Sequence, residues 1–205
     1  MTKIKCLGIA CSPREKGNTF LLLEKALEGA ASGGASTELL RLKDYPMLPC
    51  QACDNCSKTG QCVIQDGAGE IFEKVLQADR IILAAPIFSM GINAQAKTFI
   101  DRSQRFWACH YVLHKPIIQD MALRPPRKGI YIAAAGTGFS NVFDGALQVA
   151  KYFFKMLEIS WLGSYCYSRI DKTGDILKNP QALAEVYQAG KMLTISQETP
   201  YNPKP

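Results

Sequence analysis

Residues 4–19 read IKCLGIACSPREKGNT, and this stretch decides the interpretation of the whole chain. The apolar run at 4–10 is typical of a buried strand. A polar loop with a glycine follows it, and a helical pattern of apolar residues begins at Asn18. A strand, a short loop and a helix are the first unit of a chain that alternates strands with helices.

The same alternation continues along the chain. Further apolar runs predict four strands, and apolar residues at helical spacing predict five helices; the strands are 37–42, 80–85, 129–135 and 161–167, and the helices 18–30, 69–78, 93–107, 140–158 and 180–195. We therefore expect an α/β fold, a doubly wound five-stranded parallel sheet with helices on both faces. Ligands of such folds lie at the carboxyl ends of the strands, which here are followed by the loops 11–18, 86–92 and 136–141.

One domain accounts for the length of 205 residues. We assign residues 1–196 to it, with a cysteine-containing loop at 44–67 inserted after the second strand, and residues 197–205 to a proline-rich tail. Residues 109–128 contain three prolines and are predicted to be irregular.

Composition excludes several classes of protein. Hydrophobic residues make up 47% and charged residues 20% of the chain, which is typical of a globular domain. The net charge of +6 is modest and does not indicate a nucleic-acid partner. The longest apolar run, residues 81–88, is far shorter than the roughly 20 residues of a membrane span, and no signal peptide is recognisable. We therefore expect a cytoplasmic protein without a membrane partner.

The loop at 11–19 carries groups that bind phosphate. Ser12, Asn18 and Thr19 offer hydroxyl or amide groups, Gly17 permits close approach of the backbone, and a helix start favours an anion. The loop lacks the Gly-Lys-Ser/Thr ending of a triphosphate loop and the three glycines of a dinucleotide loop. The pattern therefore favours a single phosphate monoester. The alternative is that Ser12 or Asn18 simply caps the helix.

Several segments together resemble one family. Ser-Pro-Arg-x-x-Gly-Asn-Thr at 12–19 resembles the phosphate loop of flavodoxin-fold NAD(P)H-dependent FMN reductases and iron–sulfur flavoproteins. APIFSM at 85–90 is similar to the Pro-x-Tyr loop of that family, AQAKTFIDR at 94–102 to the helix that follows it, and GTG at 136–138 to a third flavin loop. Cys11 and Phe88 depart from the usual Gly and Tyr. The resemblance covers about residues 4–165 and implies a flavodoxin-like fold that binds FMN.

The resemblance also implies which residues contact FMN. The phosphate would be held by Ser12, Arg14, Gly17, Asn18 and Thr19. One edge of the ring would lie against Pro86, Ile87, Phe88, Ser89 and Met90, and the other against Gly136, Thr137 and Gly138. The redox chemistry belongs to the flavin, so no side chain is assigned a catalytic role.

Four cysteines lie within thirteen residues, at Cys50, Cys53, Cys56 and Cys62. The two-residue gaps suit three corners of a 4Fe–4S cluster held by one winding loop, and Gly60 lets the loop turn back to supply the fourth. A zinc site, or no metal, is the alternative, and disulfides are disfavoured in the cytoplasm. The spacing resembles the compact motif of iron–sulfur flavoproteins, which implies a cluster near the flavin of an adjacent subunit and hence a homodimer or homotetramer.

These features predict an FMN-binding oxidoreductase with a 4Fe–4S cluster, which transfers electrons between a ferredoxin-like one-electron carrier and a two-electron acceptor. One alternative is an NAD(P)H-dependent FMN or quinone reductase without a functional cluster, and another is a non-enzymatic electron carrier or redox sensor. Residues 101–128 carry six basic residues against two acidic ones, most of the net charge. This segment is either a basic face that attracts NAD(P)H phosphates or an acidic carrier protein, or a solvated charged segment.

Overall fold

A computed structural model describes residues 3–119, 121 and 124–195. Its strands are β1 (Lys5–Ala10), β2 (Ser36–Arg41), β3 (Arg80–Ala84), β4 (Ile87–Phe88), β5 (Gly91–Ile92), β6 (Lys128–Ala134) and β7 (Ser160–Tyr167). Within the described residues, five of these strands form one parallel sheet in the order β2-β1-β3-β6-β7, and β4 and β5 form a separate antiparallel hairpin. This is the flavodoxin-like strand order, so the predicted doubly wound sheet is confirmed.

Helices cover both faces of the sheet. They are α1 (Asn18–Ser32), α2 (Cys56–Thr59), α3 (Gly67–Gln77), α4 (Ala94–Asp101), α5 (Gln104–Tyr111), α6 (Asp144–Met156) and α7 (Pro180–Thr194). One core lies under α1 and α7, and the other lies under α3, α4, α5 and α6. Both faces of the central strands are therefore shielded from solvent, and β3 and β6 are buried along their whole length. This explains why their sequences are largely apolar rather than alternating.

The helices α1 and α7 pack unusually closely because glycines lie at their contact. A methyl group added at Gly29 would lie 1.9 Å from the Tyr187 carbonyl oxygen, and one at Gly190 would lie 1.8 Å from the Ala26 carbonyl oxygen. Only glycine fits at either position. The contact fixes α1, which begins at the predicted phosphate loop.

Two predicted helices differ from the helices of the structure. The helix at 93–107 is wrong as a single element, because tight turns at Arg102 and Ser103 separate α4 from α5. The Arg102 side chain is engaged at this break with the segment that carries the cysteines. The helix at 140–158 begins later, at Asp144, because residues 139–143 form consecutive turns.

Other differences concern loops. The inserted segment at 44–67 contains the short helix α2, and the second candidate loop at 86–92 contains the hairpin β4–β5. The predicted irregular segment at 109–128 is helical as far as Tyr111 and enters β6 at Lys128. The tail at 197–205 lies outside the described residues. Among the described helices, none has the length and apolar character needed to span a bilayer.

Candidate functional site

A cavity of about 260 Å³ lies at the carboxyl ends of the central strands. The first predicted loop contributes Ser12, Arg14, Gly17, Asn18 and Thr19 to its lining, the second contributes Pro86, Ile87 and Phe88, and the third contributes Gly136. These three loops are far apart in the sequence and meet because parallel strands end at the same edge of the sheet. The cavity thus brings together residues from all three segments named from the sequence.

Four of the predicted contact residues do not line this cavity. Ser89 and Met90 form the two-residue turn of the hairpin β4–β5, with φ angles of 49° and 64°. Positive φ at both positions is what a type I′ hairpin turn requires, and the usual residues there are asparagine and glycine. Thr137 and Gly138 lie next to Arg169, where a methyl group on Gly138 would be 2.7 Å from the Arg169 Nε atom.

The start of α1 is open to a ligand. Gly17 occupies the N-cap position, and no side chain caps the helix. The Ser12 hydroxyl instead accepts a hydrogen bond from the Arg14 amide at 3.2 Å. The capping alternative for Ser12 and Asn18 is therefore wrong, and amide groups of the first helical turn remain available at the cavity.

Gly17 is also required by space. A methyl group at this position would lie 2.7 Å from the Ser12 Oγ atom, closer than real contacts allow. Because Gly17 has no side chain, the loop can fold tightly around the Ser12 hydroxyl group. The same compactness leaves room for a bound anion above the helix start.

The segment that follows β7 forms a further wall that sequence reasoning missed. Ile170 and Asp171 line the cavity. The Arg14 Nη1 atom donates to the Asp171 carbonyl at 2.9 Å, and the Asn18 Nδ2 atom donates to the Lys172 carbonyl at 2.9 Å. The Asn18 side chain also accepts from the Ile176 amide, so both of its polar atoms help to hold this wall. The carboxyl-edge rule, applied to the fifth strand as well, would have identified the segment.

The buried residue Asn93 connects the first two loops by hydrogen bonds. Its side-chain Nδ2 atom donates to the Cys11 carbonyl at 2.7 Å, and its backbone amide donates to the Pro86 carbonyl at 3.2 Å. Burial raises the pKa of the Cys11 thiol well above its ordinary value, so the thiol remains protonated and unreactive. Cys11 therefore packs in the core beneath the first loop.

The four clustered cysteines line a second cavity, together with Arg102, Gln104 and Arg105 and the apolar side chains of Ala52, Val63 and Ile64. Cys50 and Cys53 are exposed, whereas Cys56 and Cys62 are half-buried. Burial raises the pKa of Cys56, and the charges of the other three cysteines add to this shift. The four thiols therefore line one cavity and lie close enough for their charges to interact.

The backbone of this loop bends in unusual ways. Ala52 and Asp54 have φ angles of 50° and 56°, in the left-handed region that residues other than glycine seldom adopt. Gly60, with a φ of 76°, ends α2 before Cys62. Each non-glycine residue in this region costs about 1–2 kcal/mol. Such strain is typical of segments shaped to hold a ligand.

The cysteines do not converge on a point. Nowhere in the described ranges do three or more His, Cys, Asp or Glu side chains stand close enough together to hold one metal ion. The thiolates around a cubane cluster bind separate iron atoms at its corners, so they stand farther apart than ligands of a single ion. The four thiols that line one cavity are a donor set that either a 4Fe–4S cluster or a zinc ion could use.

Arg102 closes the cysteine loop at both ends. Its Nη1 atom donates to the Leu48 carbonyl and to the Asp66 carboxylate, both at 2.8 Å, and its Nη2 atom donates to the Ile64 carbonyl at 2.9 Å. Although burial lowers the pKa of Arg102, the hydrogen bond to Asp66 and the charge of Cys62 raise it above its usual value. The guanidinium thus stays charged beside the cysteines.

Neither alternative for residues 101–128, a basic face or a solvated charged segment, describes half of their basic residues. Arg102, Arg127 and Lys128 are buried rather than exposed. Arg127 donates to the Ala78 carbonyl at 3.0 Å, and Arg124 pairs with Asp79 at 2.9 Å. Much of the basic charge of this segment therefore ties the sheet and the cysteine loop together instead of attracting anionic partners.

Comparison with known proteins agrees with this geometry. The family model of the NADPH-dependent FMN reductases matches residues 4–161. An iron–sulfur flavoprotein of Methanocaldococcus jannaschii is 43% identical over 101 residues, covering 49% of this chain and 52% of that protein. This chain therefore aligns with about half the length of that relative.

Two further proteins match over a larger share. A Bacillus subtilis protein named as an NAD(P)H-dependent FMN-containing oxidoreductase is 31% identical over 173 residues, covering 83% of this chain and 88% of that protein. The solved structure of an NAD(P)H:quinone oxidoreductase from Methanothermobacter marburgensis superposes with a TM-score of 0.67 at 15% identity, covering 96% of this chain and all of the other. The family model and the Bacillus relative both span most of the chain, and the chain therefore belongs to the NADPH-dependent FMN reductase family.

Proposed function

We propose that this protein is an FMN-dependent NAD(P)H oxidoreductase whose cofactor phosphate binds at the start of α1. The observation that carries this proposal is the uncapped first turn of α1, which opens into a cavity formed by three loops at one edge of the sheet. Free amides and a helix dipole favour a doubly charged phosphate monoester. Family membership supports FMN as the molecule that carries it.

The residues of the cavity suit the separate parts of FMN. Ser12, Thr19 and the amides around Gly17 would hold the phosphate, and Arg14 adds a positive charge that the Asp171 carbonyl keeps in place. Gly136 lines the same cavity and lets the Asp171 side chain pack against the backbone, since a methyl group there would lie 3.0 Å from the Asp171 carboxylate. Ser89, Met90, Thr137 and Gly138 would border the ring rather than the phosphate.

The mouth of the cavity suits the flavin ring. Phe88 lines the cavity yet is 43% exposed. Met90, in the second loop, and Phe139, in the third, are also exposed apolar residues. Such a surface suits a planar, largely apolar ring that must remain open to a second substrate. Bound there, FMN would supply the redox chemistry of the reaction, which is hydride acceptance from NAD(P)H and transfer of one or two electrons. The role of the chain is to bind the ring, orient it and leave one face accessible.

We further propose that Cys50, Cys53, Cys56 and Cys62 hold a 4Fe–4S cluster. Their common cavity and the left-handed residues between them support this assignment. The name of the Methanocaldococcus relative is consistent with it. The exposure of Cys50 and Cys53 would let a ferredoxin-like carrier approach the cluster. A second subunit would bring this loop toward a neighbouring flavin in a homodimer or homotetramer.

A reductase without a functional cluster is the second candidate. The observation that favours it is the Bacillus relative, which matches most of the chain and is named for NAD(P)H and FMN alone. Such an enzyme would reduce free flavin or a quinone, and the cysteines would hold zinc or remain free.

One preparation distinguishes these functions. We expect protein purified without oxygen to retain FMN, to contain about four iron and four sulfide per chain, and to oxidise NAD(P)H in the presence of a quinone. Retained FMN without iron would favour the cluster-free reductase. Bound FMN without turnover of any free acceptor would favour a non-enzymatic electron carrier or redox sensor. Failure to bind added FMN would overturn the proposal altogether.

A further inference from the structure

Two arginines face the cysteine cavity from neighbouring helices. Arg102 follows the last residue of α4, and Arg105 lies in the first turn of α5. Both line the same cavity as the four cysteines. The break between α4 and α5 places the two side chains together at this cavity, although the sequence predicted one continuous helix here.

Both arginines carry a buried donor that nothing accepts. Among the described residues, the Nε atoms of Arg102 and Arg105 are buried and have no hydrogen-bond partner. Buried N–H groups are almost always paired, because an unpaired donor has lost its water without gaining an acceptor. Two such donors beside four sulfur ligands indicate that an acceptor belongs in this cavity.

The two side chains differ in how firmly they are held. Arg102 is 2% exposed and its terminal nitrogens are fully engaged with Leu48, Ile64 and Asp66. Its Nε atom is therefore fixed in direction. Arg105 lies with its guanidinium carbon 5.0 Å from the centre of the Phe106 ring. Glu70 and Glu73 line an adjacent cavity, which shares Cys62 and both arginines with the cysteine cavity.

We propose that Arg102 and Arg105 are a pair of positioning residues that donate hydrogen bonds to the sulfur atoms of the bound cluster. The inference rests on the cluster assignment made above. A cluster with four thiolate ligands is negatively charged, and more so after reduction. Nearby donors and positive charges therefore stabilise the reduced form more than the oxidised form and raise the reduction potential. Arg102 in addition holds the two ends of the loop in the binding arrangement.

The test uses the full-length protein, reconstituted with iron and sulfide without oxygen. Arg105→Gln removes the charge and the Nε donor without touching the hydrogen bonds at the ends of the loop. We expect it to retain its iron and sulfide but to shift the one-electron reduction equilibrium about tenfold toward the oxidised form, or 59 mV. Arg105→Lys, which keeps the charge and loses the donor, should show a smaller shift in the same direction. The potential is measured by an anaerobic titration followed by electron paramagnetic resonance.

Arg102→Lys addresses the second role. Lysine keeps the charge but cannot reach three acceptors at once, so we expect both a lower iron content and a lower potential. Lys97→Gln is the matched control, because Lys97 lies on α4, pairs with Asp101 at the surface and does not line the cavity. This variant should match the natural protein in iron, FMN and potential.

The outcomes separate the two levels of inference. Natural protein that binds no iron while retaining FMN would overturn the cluster assignment and this proposal with it. Natural protein with a cluster whose potential is unchanged in both Arg105 variants would overturn the arginine proposal alone. A lower potential in the Arg105 variants and an unchanged one in Lys97→Gln would support it, even where Arg102→Lys fails to fold.

Discussion

Arg102 and Asp66 form a buried ion pair, with the Nη1 and Oδ2 atoms 2.8 Å apart and the side chains 2% and 14% exposed. The pair connects the break between α4 and α5 to the start of α3. Asp66 also accepts from the Leu48 amide at 2.9 Å and caps α3 by accepting from the Ala68 amide at 3.1 Å. One carboxylate and one guanidinium thus anchor the cysteine loop to the core.

We expect Asp66→Asn to destabilise the protein by about 3 kcal/mol, because it leaves the Arg102 charge buried without its partner. Chemical denaturation of the metal-free protein measures this loss. Asp101→Asn is the control, since Asp101 pairs with Lys97 at the surface and should cost less than about 1 kcal/mol. Equal losses in the two variants would contradict the anchoring role.

The same pair makes stability depend on acid. Burial alone would raise the pKa of Asp66, but hydrogen bonds from Arg102 and from two backbone amides hold it below its ordinary value. Its stabilising contribution is therefore complete above the unfolded-state pKa of about 3.9 and is lost as the pH falls through the lower folded-state pKa. We expect denaturation midpoints of the natural protein and Asp66→Asn to converge below about pH 4. A constant difference down to pH 2 would contradict this.

Gly17→Ala should weaken FMN binding by about tenfold or more, equal to about 1.4 kcal/mol. The added methyl group would lie 2.7 Å from the Ser12 Oγ atom, so the Ser12 hydroxyl that is proposed to bind the phosphate must move. Titration of the apoprotein with FMN, followed by flavin fluorescence, measures the affinity. Gly69→Ala is the control, because a methyl group there has no neighbour within 4 Å, and the helix α3 should gain up to about 1 kcal/mol from it. Tight FMN binding by Gly17→Ala would argue against this loop as the phosphate site.

Gly190→Ala should destabilise the fold by about 1–3 kcal/mol or more, since the methyl group would lie 1.8 Å from the Ala26 carbonyl oxygen and force α1 and α7 apart. Thermal unfolding with and without FMN measures the effect. Gly145→Ala is the control, because its nearest contact, at 3.5 Å from the Met90 carbonyl oxygen, is an ordinary one. A melting temperature of Gly190→Ala equal to that of the control would show that the helices can separate freely.

Cys53→Ser should abolish iron binding and leave FMN binding intact, because Cys53 lines the second cavity and not the first. Iron, sulfide and flavin contents after anaerobic reconstitution measure both. Cys109→Ser is the control: its sulfur lies 3.8 Å from the Gly60 carbonyl oxygen, near the loop, but it does not line the cavity with the other four. Loss of iron in both variants would indicate that Cys109 is itself a ligand.

Local sequence determined the architecture and most of the lining of the first cavity. Apolar runs at β1, β3 and β6 identify buried parallel strands, because a strand covered on both faces has no polar side. Once the strands are known, chain order alone places Ser12, Pro86 and Gly136 at one sheet edge. The spacing of Cys50, Cys53, Cys56 and Cys62 likewise identified a set that does share a cavity.

Contacts between distant segments decided the rest. The break at Arg102, the wall that Asp171 contributes to the cavity and the burial of Arg127 all depend on partners between 30 and 157 residues away. No local sequence pattern predicts these contacts, because helix propensity and charge are properties of single residues and their neighbours in the chain. A carbonyl oxygen that needs a donor becomes evident only when the chain has folded around it. The sequence by itself therefore determined the five strands of the main sheet and three of the loops that meet at its edge, whereas tertiary packing decided where α4 ends, what completes the cavity wall and which basic side chains are buried.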